Sequence, residues 1–223
     1  MGSPRSVRAY IGLGANVGDA DATLAAAVRS IDDLPSVRVT AVSPLYATAP
    51  WGVPDQPEFR NAVVAVDLRF ATAPEAAALW LLGRLKTLER AAGRRRGRRW
   101  GPRELDLDLL LFGRHRISVE RDAAARSVDA ATDPERAVRR LEVPHRDLGE
   151  RQFVLAPLAD LASGLVPPGW PETIGTRRRA VAAAEPPNAV RVVRDWDPAA
   201  GRWSVPRLSR GAGSGSLRGR RPR

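Results

Sequence analysis

The sequence contains no cysteine, one methionine, two histidines and a single lysine in 223 residues, and 5% of it is aromatic. Without cysteine there is no disulfide framework and no thiolate metal site, so any metal must rest on oxygen or on His115 and His145. No segment reaches the ~18 uninterrupted apolar residues of a spanning helix. Met1-Gly2-Ser3-Pro4-Arg5 also lacks the apolar run of a secretory signal, so a cytoplasmic protein away from any membrane is expected. Lys86 stands alone beside 35 arginines. That skew, together with many Ala, Gly and Pro residues, suggests GC-rich coding and weakens the formal charge of +11 as a sign of nucleic-acid binding. Residues 171–223 hold twelve arginines and four acids, which leaves the rest of the chain near +3. No specific nucleic-acid partner is expected from so modest a charge.

The most constrained stretch is Arg98-Arg99-Trp100-Gly101-Pro102-Arg103-Glu104-Leu105-Asp106-Leu107-Asp108-Leu109-Leu110-Leu111-Phe112. Its period of two predicts a strand with Leu105, Leu107, Leu109 and Leu111 on one face and Asp106, Asp108, Leu110 and Phe112 on the other. Such alternation commonly means a half-buried strand with its acids in water. Here the continuation is apolar on both faces, as in an interior strand, where unpaired carboxylates are costly. The two α-carbons would lie roughly 6.5 Å apart, close enough for one or two divalent cations to bridge the carboxylates. Hard oxygen ligands favour Mg²⁺ or Mn²⁺. The run Arg94-Arg95-Arg96-Gly97-Arg98-Arg99 would on its own read as a solvated basic loop, but directly before this strand it reads as a polyphosphate clamp.

The remaining elements fall into a simple order. Val7–Leu13 reads as a strand ending in the glycine turn Gly14-Ala15-Asn16-Val17-Gly18, which lacks the spacing of a phosphate-binding loop and is taken as structural. Asp19 or Asp21 caps a helix that carries Leu24, Ala27, Val28, Ile31 and Leu34 on one stripe and stops at Pro35. A second strand from Val37 to Tyr46 breaks near Pro44. The proline-stiffened segment Thr48–Pro57 bears Trp51, a plausible wall for a flat ligand. Phe59–Leu68 is the third strand, and a helix capped by Thr72 and opened by Pro74 runs to Gly93. Strand, helix, strand, strand, helix, strand is the β-α-β-β-α-β order of a ferredoxin-like α+β sandwich. Between Arg114 and Arg140 the apolar pattern dissolves, so about 120–140 is expected to be an inserted surface loop. Phe153–Leu161 predicts an added C-terminal helix. One domain over 1–170 and a basic, mostly flexible tail over 171–223 are expected, with an edge strand over Val190–Trp196 as the alternative for the tail.

Four ordered blocks also resemble one family. Arg99-Trp100-Gly101-Pro102-Arg103 with Leu105-Asp106-Leu107-Asp108 is similar to the signature of the 6-hydroxymethyl-7,8-dihydropterin pyrophosphokinases. Tyr10–Asn16, the Ser43–Asn61 region and Val143-Pro144-His145-Arg146-Asp147 resemble the same family in the same order. The resemblance covers roughly 7–113 and 141–162. It implies transfer of diphosphate from ATP to 6-hydroxymethyl-7,8-dihydropterin, giving AMP and the pterin diphosphate in folate biosynthesis, by a monomer with two Mg²⁺ ions.

Carried onto this chain, the resemblance puts the two metals on Asp106 and Asp108 and gives Arg94 and Arg103 a catalytic role beside them. Arg94, Arg96 and Arg103 would contact the phosphates, Trp100 would shape the loop that closes over ATP, and Glu89, Leu109, His145, Arg146 and Arg151 would complete the nucleotide site. The pterin would lie between Phe59 and Phe153, with Asn61, Thr48, Pro50 and Trp51 along its polar edge. Two alternatives without this chemistry use the same fold. An RNA-binding ferredoxin-like domain needs aromatic and basic residues interleaved on its central strands, where this chain has carboxylates. A non-catalytic ligand-binding domain would need neither the aspartate pair nor the arginines.

Overall fold

The computed structural model describes residues 5–49, 56–93, 102–122 and 140–205. Its first half runs β1 (Arg5–Ala15), α1 (Ala20–Asp32), β2 (Val37–Val42), β3 (Leu45–Thr48), β4 (Phe59–Phe70), α2 (Pro74–Ala91) and β5 (Asp106–Phe112). β1 lies at the centre, antiparallel to β4 on one side and β5 on the other. β2 and β3 both pair with the far edge of β4, so the strand that breaks at Pro44 becomes two segments of one sheet position. This is the ferredoxin-like arrangement, in the order that the sequence predicts.

The alternation of β1 explains its place. Ala9, Ile11, Leu13 and Ala15 are buried against α1 and α2, together with Val64, Val66 and Leu68 of β4. α1 begins where the Asp19 carboxylate accepts the Ala22 N–H at 3.0 Å, which selects between the two acids expected as its cap. α2 opens on Pro74 with Ala73 as its cap residue, and the Thr72 hydroxyl makes no bond to the first turn; the cap expected at Thr72 is not used. Proline has no N–H to satisfy there, so the helix start loses little without a side-chain cap.

The opposite face carries a second core of Val63, Leu110, Leu111, Leu148, Leu155, Leu158 and Ile174. Two helices build it, α3 (Gln152–Ala162) and α4 (Ile174–Ala182). β5 reaches both cores because its register shifts: Ile11 pairs with Leu109 and Tyr10 with Leu111, leaving Leu110 as an extra residue. Such a bulge reverses the alternation beyond it. Leu111 therefore joins Leu110 under α3, whereas Phe112 turns to the α1–α2 side, the reverse of the faces expected from strict period two.

One expectation for the second half needs correction. The insertion expected over 120–140 is flanked by β6 (Ile117–Glu120), which pairs antiparallel with β7 (Arg140–Val143), and its residues 123–139 lie outside the described residues. The segment from 171 to 205 is not a flexible tail. It forms α4 and then β8 (Val190–Asp197) and β9 (Arg202–Ser204), and β8 pairs antiparallel with β3 through Tyr46–Val192 and Thr48–Val190. The edge-strand alternative for this segment is the one seen. Trp203, 6% exposed, is packed into the α1–α2 core, its indole N–H donating to the Ser43 carbonyl at 2.9 Å and its ring 4.7 Å from Trp196. Among the described residues no helix is long and apolar enough to cross a membrane.

Candidate active site

Among the described residues, α3 and α4 pack on one end of the second face of the sheet. At the other end, Asn61 of β4, Gly14 of β1 and Asp106 of β5 occupy one cross-strand row, and Val63, Gly12 and Asp108 the next. Residues paired across adjacent strands share a face, and strands are about 4.8 Å apart, so the α-carbons of Asn61 and Asp106 stand about 10 Å apart across the glycine. A β-carbon at Gly14 would come within 3.3 Å of Asn61 Oδ1 and 3.9 Å of Asp106 Cβ. Glycine thus lets the Asn61 side chain and Asp106 approach each other across β1, where any larger residue would crowd the Asn61 amide. The turn after β1 does more than end a strand. Asn16, 3% exposed, accepts the Arg103 N–H at 2.8 Å through Oδ1, and its Nδ2 donates to the Pro57 carbonyl at 3.1 Å and to Gln56 Oε1 at 3.2 Å. One side chain ties the segment entering β4 to the segment entering β5.

β5 is an edge strand, and its free edge is closed by helix α2. The Glu89 carboxylate accepts the Leu107 N–H at 2.7 Å, and the ammonium of Lys86 donates to the Leu107 carbonyl at 2.7 Å and to Glu89 Oε1 at 2.6 Å. The pair imitates the rung of a missing strand. The single lysine of the chain is 3% exposed, and it also lies 3.6 Å from Asp108 Oδ1. Removing one member of a buried ion pair leaves the other uncompensated. Lys86→Met is expected to destabilise the fold by about 3 kcal/mol, and Lys86→Met with Glu89→Gln by less. Equilibrium denaturation of the two variants checks this; a single variant as stable as the wild type would mean the pair does not hold the edge.

Around Asp108 the charges are mostly positive. Burial alone would push its carboxyl up, but Lys86, His145, Arg103 and Arg151 outweigh that and hold it well below the usual carboxylate range. Its side chain remains 36% exposed, open to a ligand on the α3 side. Arg103 donates to Asp106. Asp147 accepts from Arg151 at 2.5 Å, lies 3.9 Å from Arg146, and gives its N–H to His145 Nδ1 at 3.3 Å, which leaves the other ring nitrogen as the donor. His145 is itself fixed by its backbone N–H, which donates to the Leu110 carbonyl at 2.9 Å. Arg121, which the sequence did not single out, donates from Nε to the Arg140 carbonyl at 3.1 Å. Burial lowers its pKa, and the charges of Asp108 and Glu89 act against that. Its only signal is its place at the end of β6, and that strand is invisible without its partner β7.

The other expected residues divide into three sets. Thr48 and Asn61 meet directly, Nδ2 to Oγ1 at 2.9 Å, and Phe59 pairs with Thr48 at the mouth of β4. Phe153 sits in the first turn of α3, with the Arg151 guanidinium 5.9 Å from its ring centre. Glu89 and Leu109, expected near ATP, are each 1% exposed: the Glu89 carboxylate is committed to the edge of β5, and the Leu109 side chain to the α1–α2 core, leaving its main chain to any ligand. Pro50, Trp51, Arg94, Arg96 and Trp100 lie outside the described residues. Among the described residues no cluster of three or more acids and histidines could hold a metal by itself. Two neighbouring carboxylates do fit Mg²⁺, which takes one or two protein oxygens and completes its shell with phosphates and water.

The ferredoxin-like sandwich sets a carboxylate pair beside arginines and a polar amide on one face, a donor set suited to a transferase of phosphorus-containing groups. Residues 10–163 match the family model of 7,8-dihydro-6-hydroxymethylpterin-pyrophosphokinase. A 2-amino-4-hydroxy-6-hydroxymethyldihydropteridine pyrophosphokinase of Methylorubrum extorquens is 41% identical over 185 residues, 83% of this chain and 98% of that one. The enzyme of the same name from Pseudomonas aeruginosa is 40% identical over 158 residues, covering 71% and 82%. The chain belongs to the 7,8-dihydro-6-hydroxymethylpterin-pyrophosphokinase family. Solved structures share its fold. A crystal structure of an HPPK-DHPS in complex with substrates matches 91% of this chain at a TM-score of 0.65 and 13% identity, and Plasmodium falciparum HPPK-DHPS with pteroate matches 92% at 0.63 and 14%. This chain spans 48% of the length of each of those chains.

Proposed function

We propose that this chain transfers diphosphate from ATP to 6-hydroxymethyl-7,8-dihydropterin, with the nucleotide phosphates over β5 and the pterin over the mouth of β4. The observation that carries this reading is the row Asn61–Gly14–Asp106, which sets a polar amide beside an anionic pair on one face with no side chain between them. Asp106 and Asp108 would hold the Mg²⁺ ions that come with ATP. Bound there, Mg²⁺ supplies neutralisation of the charge on the phosphoryl oxygens. The chain's own groups do the rest by position and charge. Arg103, Arg151 and His145, whose charges act on Asp108, favour an anion with several oxygens beside it. The pterin hydroxymethyl oxygen attacks the β-phosphorus, the bond from that phosphorus to the α-phosphate oxygen breaks, AMP leaves with that oxygen, and the hydroxyl proton goes to solvent.

Asn61 and Thr48 hydrogen-bond each other and so present fixed polar atoms to the pterin edge. Phe59 and Phe153 supply flat apolar surface for its ring. Phe59→Ala is expected to weaken pterin binding about fivefold to tenfold and leave ATP binding within about twofold, because only one ligand stacks on it. Calorimetric titration with each ligand separates the two; equal weakening of both would move the pterin site elsewhere. The reaction itself is tested by incubating the protein with Mg-ATP and the pterin and resolving nucleotides. AMP and the pterin diphosphate are expected in equal amounts. Formation of ADP, or no nucleotide turnover, would overturn the reading.

A further inference from the structure

β8 does more than lengthen the sheet. It attaches to β3 at the end nearest the pterin side: Thr48, the last residue of β3, pairs with Val190, and Ala47 with Arg191. From that position the Arg191 guanidinium reaches across to the residue just before β4 and forms a two-pronged bond to Glu58, 2.8 Å to each carboxylate oxygen. The hydrogen bonds from Arg191 outweigh the small effect of burial and hold the Glu58 carboxyl below its usual range. β8 thus grips both sides of the connection between β3 and β4, by backbone pairing at Thr48 and by charge at Glu58. The two grips flank the last β3–β4 rung, Thr48 with Phe59. Farther along, Arg194 bonds Asp21 at 2.7 Å, and Asp21 also takes Arg60, so the same strand braces β4 from the side of α1.

We infer that Arg191, through Glu58, is a positioning residue for the pterin half of the site: it holds the final rung of β3 and β4 closed so that Thr48, Phe59 and Asn61 are ordered before the pterin arrives. The inference rests on the functional reading above and adds a C-terminal strand to it. The contact is a poor candidate for a purely structural role. Both side chains are more than two-fifths exposed, and exposed ion pairs contribute little to global stability. A strand end is where local fraying costs least, so a small contact there changes the population of the ordered end without changing the midpoint of unfolding. When the end is frayed, the ligand must order it, and apparent affinity falls by the ordered fraction.

The test is a double-mutant cycle with Arg191→Ala, Glu58→Ala and the pair, read by calorimetric binding of 6-hydroxymethylpterin and of Mg-ATP and by thermal melting. Each single variant is expected to weaken pterin binding up to about twofold. The double variant should weaken it no further than either single one, with ATP affinity unchanged and the melting temperature within about 2 °C of wild type. Pterin affinity unaltered in the single variants, additive losses, or equal losses for both ligands would each overturn the inference. A wild-type protein that binds no pterin would overturn the proposed function instead, so the two failures are distinguishable. Glu58→Gln, which keeps one acceptor oxygen, should fall between wild type and Glu58→Ala; no recovery there would also count against the inference.

Discussion

Asp108→Ala is expected to lower kcat by a factor on the order of a thousand while leaving a folded protein, because the loss falls on transition-state charge worth several kcal/mol. The fold should survive for a specific reason. Lys86 keeps Glu89 and the Leu107 carbonyl as partners when Asp108 is gone, so no buried charge is orphaned. Asp108, one-third exposed, contributes little packing. What disappears is the anion at the centre of Lys86, His145, Arg103 and Arg151, one of the two carboxylates that would hold Mg²⁺. Asp108→Asn retains the shape and should fail almost as badly, which separates charge from size. Asp106→Ala should act in the same direction and also release Arg103. Turnover within tenfold of wild type in Asp108→Ala, measured as AMP formed at saturating ligands alongside a melting curve, would remove this carboxylate from the mechanism.

The sequence made the strand of that carboxylate readable because its chemistry is local: Asp106, Asp108 and Arg103 sit within one short run, and period two places both acids on one face. The β-α-β-β-α-β order was equally readable, since each helix stripe and each buried strand of the first half is continuous. What stayed hidden depends on partners distant in the chain. Lys86 reads as one polar residue on a helix until Leu107 of β5 arrives beside it. The bulge at Leu110 is set by its pairing with β1 rather than by any residue of β5, so period two mispredicted the faces of Leu111 and Phe112. Asn16 looked like a turn residue because its hydrogen-bond partners, at 56–57 and 103, are about forty and ninety residues away. β6 and β7 are four residues each, too short for a pattern of their own. β8 alternates arginine with valine and exposes much of itself, which in composition is indistinguishable from a solvated tail.

Cutting the chain after Trp170 is expected to lower the melting temperature by about 10 °C or more, or to leave no soluble protein, where composition alone would predict a neutral deletion. Two large apolar side chains are lost from the cores: Ile174, fully buried under α3, and Trp203, buried in the α1–α2 core with its ring against Trp196. Full burial of such side chains stabilises by about 1.5–3 kcal/mol each, so together they account for on the order of 5 kcal/mol, and each kcal/mol corresponds to about 2–4 °C in a chain of this size. The cut also strips polar partners. The Ser43 carbonyl loses the Trp203 indole, and Asp160, which accepts the Tyr46 hydroxyl at 2.6 Å, loses Arg178. Most damaging, the buried strand β3 becomes a sheet edge, with the backbone groups of Tyr46 and Thr48 that had bonded β8 left open to pair with another copy. A second cut after Val205 keeps α4 and the β8–β9 hairpin and should melt within about 2 °C of the full chain. Melting curves of the three proteins, with light scattering to detect association, decide the matter: if the shorter truncate matched the full chain in both, the hairpin would be an ornament on the sheet and the fold would end at α3.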